Sequence, residues 1–141
     1  AVGDGGVDEQ GWLHTGDLGR RDEDGWMYLV GRKKDIIIRG GENIASAHVE
    51  SRLRAHPEVA EVAVVGLPHA DLGEEVAAVV VARPGASLEA ASLAEFAAQE
   101  LARFEVPSRW WIRAEPLPTN AVGKILKRTL VTDWPGESAI R

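Results

Sequence analysis

An α+β fold, a small sheet with helices packed against it, is what the 141-residue sequence predicts. Two segments, Ala45–Leu53 and Leu93–Phe104, place apolar residues every three or four positions, as amphipathic helices do. β-branched runs bounded by Gly or Pro lie around and between them. After residue 34 the order is strand, helix, strand, strand, helix, strand, helix, with no internal repeat.

Residues 1–11, with Gly3, Gly5, Gly6 and Gly11, are expected to form a loop. Asp22–Gly25 is a turn signal, and Trp26–Val30 is the short strand after it. Residues 1–30 are too few for a sheet that could bury this strand, so it reads as the edge of a larger body, a β stub. Ile36, Ile37 and Ile38, between Gly31 and Gly40-Gly41, predict a buried strand. Asn43 or Ser46 can cap a helix running to about His56, with Ala45, Val49 and Leu53 as its stripe, and Pro57 ends it. Val59–Val65 and Glu75–Ala82 are strands joined by the turn-rich segment Pro68–Gly73. Ser87 can cap a long helix to about Phe104, with Leu93, Ala97, Leu101 and Phe104 on its apolar face and Phe96 beside them. Arg109–Ala114 is a further strand, with Trp110 and Trp111 on opposite faces. Pro116–Gly123 is a loop, Lys124–Thr132 a short helix and Asp133–Arg141 a loose tail.

With 45% hydrophobic residues, the chain can build a core of its own. The longest apolar stretch, within Val76–Ala82, is far too short to span a membrane, and no leader resembles a signal peptide. The lack of cysteine excludes disulfides, thiolate metal sites and a Cys nucleophile, and fits a reducing cytoplasm. A net charge of −6 argues against a nucleic-acid partner. His14, His48, His56 and His69 stand at no ligand spacing, so no metal site is expected. Within this acidic chain, cations gather at Arg32–Lys34, at Arg39 and at Lys124–Arg128. Two solvated loops would look like this, and so would two approaches to one anionic ligand.

Three loops carry chemistry-bearing residues. In His14–Asp17, the carboxylate of Asp17 follows a Gly and can accept hydrogen bonds from two adjacent hydroxyls, as on a ribose. A turn Asp satisfying its own backbone would have the same local sequence. In Gly31–Asn43, glycines flank a stiff apolar strand and suit a pivot, Arg32 offers a forked donor, and Gly40 and Gly41 let a ligand approach the backbone. In Pro116–Arg128, Lys124 follows a Gly-bearing loop that could lower its ammonium onto a carboxylate and a phosphate together. The Walker spacing is absent, and a lysine at the start of a surface helix is the plainer alternative.

Taken in order, the strings GWLHTGDLGRRDEDGWMYLVGRKKDIIIRGGENI (residues 11–44), HPEVAEVAVVGLPHADLGEE (56–75) and LPTNAVGKILKR (117–128) resemble the end of the adenylate-forming superfamily, in its fatty-acyl or aryl CoA-ligase branch. The resemblance implies the mobile C-terminal domain of such an enzyme. It divides the chain into an end of the large N-terminal domain (1–33), a C-terminal lid domain (34–130) and a tail (131–141). Asp17 and Arg32 would bind the nucleotide, Lys34 would be the hinge, and Lys124 would stabilise the adenylation transition state. Gly40 and Gly41 would face the site during thioester formation. The implied partners are the large domain, a carboxylic acid and CoA. The implied cofactors are ATP or AMP, CoA and Mg2+, the metal held mainly by the large domain. The family's Ser/Thr/Gly-rich phosphate loop and its acyl pocket have no counterpart in these residues, so the chain is expected to be inactive alone. A piece acting on a carrier-protein thiol, or a non-catalytic binding module, would share much of this pattern.

Overall fold

The structure is a computed structural model that describes residues 6–136. The outer parts of the expected loop and tail, residues 1–5 and 137–141, lie outside the described residues.

The chain first makes a hairpin, β1 (Asp17–Arg21) and β2 (Met27–Arg32), closed by the Asp22–Gly25 turn. Trp26–Val30 was expected to find no sheet within residues 1–30 that could bury it; β1 pairs with it, but the ribbon is only two-stranded and its strands stay exposed. A single 3-10 turn, Lys33–Asp35, leads into β3 (Ile36–Arg39). β3 folds back on β4 (Glu42–Ala45), an unexpected strand, through Gly40 and Gly41 at φ 55° and 90°. That left-handed pair is open to glycine at little cost and makes the two-residue turn possible. The isoleucine run does not form a wholly buried strand: Ile37 is 3% exposed and Ile38 54%, because successive side chains of an edge hairpin point to opposite faces.

The centre is the long antiparallel pair β5 (Val59–His69) and β6 (Gly73–Ala82). β7 (Arg109–Arg113) lies parallel to β6, the strand order of the main sheet being β4-β3-β6-β5 with β7 on β6. Helix α1 (Ser46–Arg54) and helix α2 (Ala90–Ala98) cover one face. Ile37, Ile44, Val49, Leu53, Val62, Val64, Val76, Val80, Leu93 and Trp110 meet there. Ala63, Val79, Val81, Leu117 and Leu130 meet on the other face, under α3 (Lys127–Thr132). Both faces are therefore covered, which explains why β5 and β6 read as continuous apolar runs rather than alternating ones. A register shift between Val59 and Glu61 puts Val59 on the same face as Val62, which a regular strand would not allow. Trp110 and Trp111 do point to opposite faces, and Trp134 packs edge-on against Trp111 at 5.8 Å between centroids.

The helix ends differ from expectation, for identifiable reasons. Neither Asn43 nor Ser46 caps α1, because Asn43 lies in β4 and the Ser46 hydroxyl accepts a hydrogen bond from Lys127. Ser87 does not cap α2, which starts three residues later. α2 ends at Ala98 instead of Phe104 because Arg52 donates from Nε and Nη2 to the Phe96 carbonyl, at 3.1 and 2.7 Å. That carbonyl would otherwise accept the next turn of the helix. α3 begins at Lys127 rather than at Lys124, since residues 119–125 form a small hairpin of their own. Among the described residues, no helix is long and apolar enough to cross a membrane.

Candidate nucleotide-facing site

Asp17 opens β1 and Arg32 ends β2, and the register sets them opposite one another. Arg32 Nε lies 3.2 Å from Asp17 Oδ1, and both side chains are part-exposed. The turn before Asp17 is held by its N–H donating to Thr15 Oγ1 at 3.2 Å and by the Lys33 N–H donating to the Gly16 carbonyl at 2.8 Å. The second contact joins the start of the hairpin to the 3-10 turn that carries Lys34.

Lys124 approaches this cluster from the far end of the chain. Asn120 builds its hairpin: Oδ1 accepts the N–H groups of Val122 and Lys124 at 3.1 and 2.9 Å, and the Asn120 N–H donates to the Lys124 carbonyl at 2.9 Å. Gly123 turns the chain at φ 81°. The lysine was expected to start a helix; Asn120 instead fixes it in an Asx-type turn ahead of one. Asn120 was not singled out in the sequence, although an Asn three residues before a Gly is the available signal for such a turn.

Lys124 and Lys34 line a common groove of about 660 Å³ with Asp35, Glu50 and Asn120, and Lys127 and Arg128 also border it. The Lys34 ammonium holds the pKa of Lys124 below the ordinary lysine value, first by direct side-chain contact and then by its like charge. Lost hydration and the Arg32 charge act in the same direction, and Asp35 opposes them. The structure thus gathers Asp17, Arg32, Lys34 and Lys124. It does not bring in Gly40 and Gly41, which lie in the turn beyond the far end of β3, that end being about 10 Å along the strand from Ile36.

Chemically, the cluster offers three cationic side chains and one carboxylate, all reachable by solvent. That donor set fits an anion carrying hydroxyls, with cations for phosphate oxygens and Asp17 as an acceptor for a sugar hydroxyl. It does not fit a metal ion, and no group of three or more candidate ligands occurs among the described residues.

A family model described as "AMP-binding enzyme C-terminal domain" matches residues 48–124. A crotonobetaine/carnitine–CoA ligase of Salmonella paratyphi C is 41% identical over 126 residues, covering 89% of this chain and 24% of that protein. A long-chain-fatty-acid–CoA ligase of Bacillus subtilis is 46% identical over 123 residues, covering 87% of this chain and 22% of that protein. The crystal structure of ATP-bound MatB from Rhodopseudomonas palustris superposes with a TM-score of 0.79 at 40% identity, over 89% of this chain and 25% of that one. The chain thus spans about a quarter of the length of the curated relatives it matches.

Proposed function

Since the chain belongs to the AMP-binding enzyme C-terminal domain family, among acyl- and aryl-CoA ligases, we propose that it is the mobile lid of an AMP-forming acyl-CoA synthetase. Residues 1–33 then belong to the large N-terminal domain, 34–130 to the lid and 131–141 to a tail. The acid is a fatty acid in this reading, which the similarity to the long-chain ligase supports. The observation that carries the proposal is the convergence of Lys124 on Lys34 and Arg32, with Arg32 in turn on Asp17.

The chemistry follows from charge. In the first step a carboxylate oxygen attacks the α-phosphorus of ATP, the bond to the β-phosphate oxygen breaks, and acyl-AMP and pyrophosphate form. Two anions must meet, so a cation between them lowers the barrier, and Lys124 supplies it. Asp17 accepts from the ribose hydroxyls, and Arg32 donates to the ribose or the adjacent phosphate. In the second step the CoA thiolate attacks the acyl carbonyl and AMP leaves. Lys124 is then unneeded, and rotation about Lys34 swings the Gly40–Gly41 turn into its place beside the thiol's path. Mg2+ would be held by the large domain, and no step here runs through it.

Lys124→Ala in the complete protein tests the allocation. Acyl-AMP formation should fall on the order of 10²–10³-fold, as on losing one electrostatic contact to a transition state. Thioester formation from supplied acyl-AMP should change only a few-fold. Equal losses in the two steps would refute the role given to Lys124.

A further inference from the structure

Three residues beyond Lys124, on the same groove, stands a second lysine that has a carboxylate and a hydroxyl for partners. Lys127 begins α3. Its Nζ lies 2.7 Å from Glu50 Oε1 and donates to Ser46 Oγ at 2.9 Å. Ser46 and Glu50 are one turn apart on the same face of α1. Ser46 is buried, and the Lys127 and Glu50 side chains are 27% and 13% exposed. Glu50 Oε1 also accepts the Val64 N–H of β5 at 2.8 Å. One ammonium thus ties α3 to α1 and, through Glu50, to the central sheet.

Among the described residues, the Lys124 side chain has no such tether. It is exposed, and the charges around it are mainly the like charges of Lys34 and Arg32, with Asp35 opposing. Left free, a lysine so placed would swing into open water. Its backbone is held by the hairpin of residues 119–125, and the Leu126 N–H donates to the Pro118 carbonyl at 2.8 Å. That hairpin runs directly into α3, so its position depends on where α3 is fixed.

We propose that Lys127 is a positioning residue for acyl-AMP formation: by clamping the start of α3 to Ser46 and Glu50, it holds the Lys124 hairpin over Lys34 and Arg32. This rests on the reading of Lys124 as the lysine of the adenylation step. Lys127 adds no cation to the reacting atoms, because its charge is already matched by Glu50. Its contribution is placement, and a displacement of the order of an ångström is enough to slow a step that needs aligned charges.

The test uses the complete polypeptide, with the two half-reactions measured separately. Pyrophosphate release from acid and ATP reports the first, and thioester formation from supplied acyl-AMP and CoA reports the second. Lys127→Met should slow the first about tenfold or more and leave the second within about twofold. Lys127→Arg, which keeps the pair with Glu50, should recover most of the rate. Should Lys127→Met not fold, Ser46→Ala trims one arm of the clamp, and a several-fold loss confined to the first half-reaction is expected. Equal losses in both half-reactions, or an unchanged first one, overturn the proposal. Lys124→Ala run in parallel separates the two readings. If it abolishes acyl-AMP formation while Lys127→Met does not affect it, the positioning role alone falls; if Lys124→Ala has no effect, both fall.

Discussion

Lys34 and Lys124 show how a residue distant in sequence sets the behaviour of another. Lys34 sits in the 3-10 turn before β3, and the two amino groups share one groove. The contact and like charge of Lys34 disfavour the protonated form of Lys124, so its native pKa lies below that of an unfolded chain. Between those two pKa values the unfolded state binds the extra proton, and stability therefore rises as pH rises through that window. Lys34→Met removes the contact and the charge. The Lys124 pKa should then move up toward the ordinary value, and this part of the pH dependence should disappear. An NMR titration of the Lys124 side chain, with and without Lys34, checks the shift; an unmoved titration would show that Lys34 is not its cause. Much of this cluster was legible in the sequence. Asp17, Arg32 and Lys124 each have a charge or hydrogen-bonding reason that can be read from the sequence, whereas Lys34 was named only through the resemblance, as a hinge. Asn120, Ser46, Glu50 and Lys127 were not legible as a site. Their partners are set by three-dimensional packing, and Lys127 and Ser46 are 81 residues apart.

At the scale of elements, the boundary of α2 is set by a side chain from α1. Arg52 is stacked over the Phe96 ring at 3.8 Å, donates twice to the Phe96 carbonyl, and reaches Gln99 Oε1 and Glu100 Oε1 at 3.0 and 2.8 Å. Its side chain is nearly buried, while Glu100 is exposed, so most of the effect comes from the carbonyl and the ring rather than the ion pair. Arg52→Ala should cost about 2–3 kcal/mol, the range for losing buried charge-assisted hydrogen bonds. Arg52→Lys should restore less than half of that, because an ammonium lacks the planar fork that stacks on the Phe96 ring while two of its N–H groups point at the Phe96 carbonyl. Urea unfolding measures both, and a loss below about 0.5 kcal/mol for Arg52→Ala, the range of an ordinary surface change, would contradict the account. The strands and the apolar stripes of both helices were legible, since burial on two faces or on one leaves a period in the sequence. The ends were not. A cap taken by a distant arginine, a register shift at Val59 and a short strand at Glu42–Ala45 leave no such period.

For the whole molecule, the contrast between its two sheets matters most. The main sheet is covered on both faces, whereas the β1–β2 ribbon covers little of its own apolar surface. Trp12, Trp26, Met27, Leu29 and Val30 are all exposed, Leu29 at 82%. A lone two-stranded ribbon is marginal in water, and apolar side chains crowded on one small region mark a surface that another body covers. In the proposed division of the chain, residues 1–33 belong to the large domain, and that domain is the covering body. Two states of hydrogen exchange follow. In the 141-residue chain, amides of β5 and β6 should exchange only on global unfolding, while those of β1 and β2 exchange orders of magnitude faster through local opening. In the complete protein, the ribbon amides should become protected, because the large domain then holds the ribbon shut. Protection of β1 and β2 equal to that of β5 and β6 in the 141-residue chain would mean that the ribbon is stable on its own. The boundary at residue 33, and with it the pivot placed at Lys34, would then have to be moved.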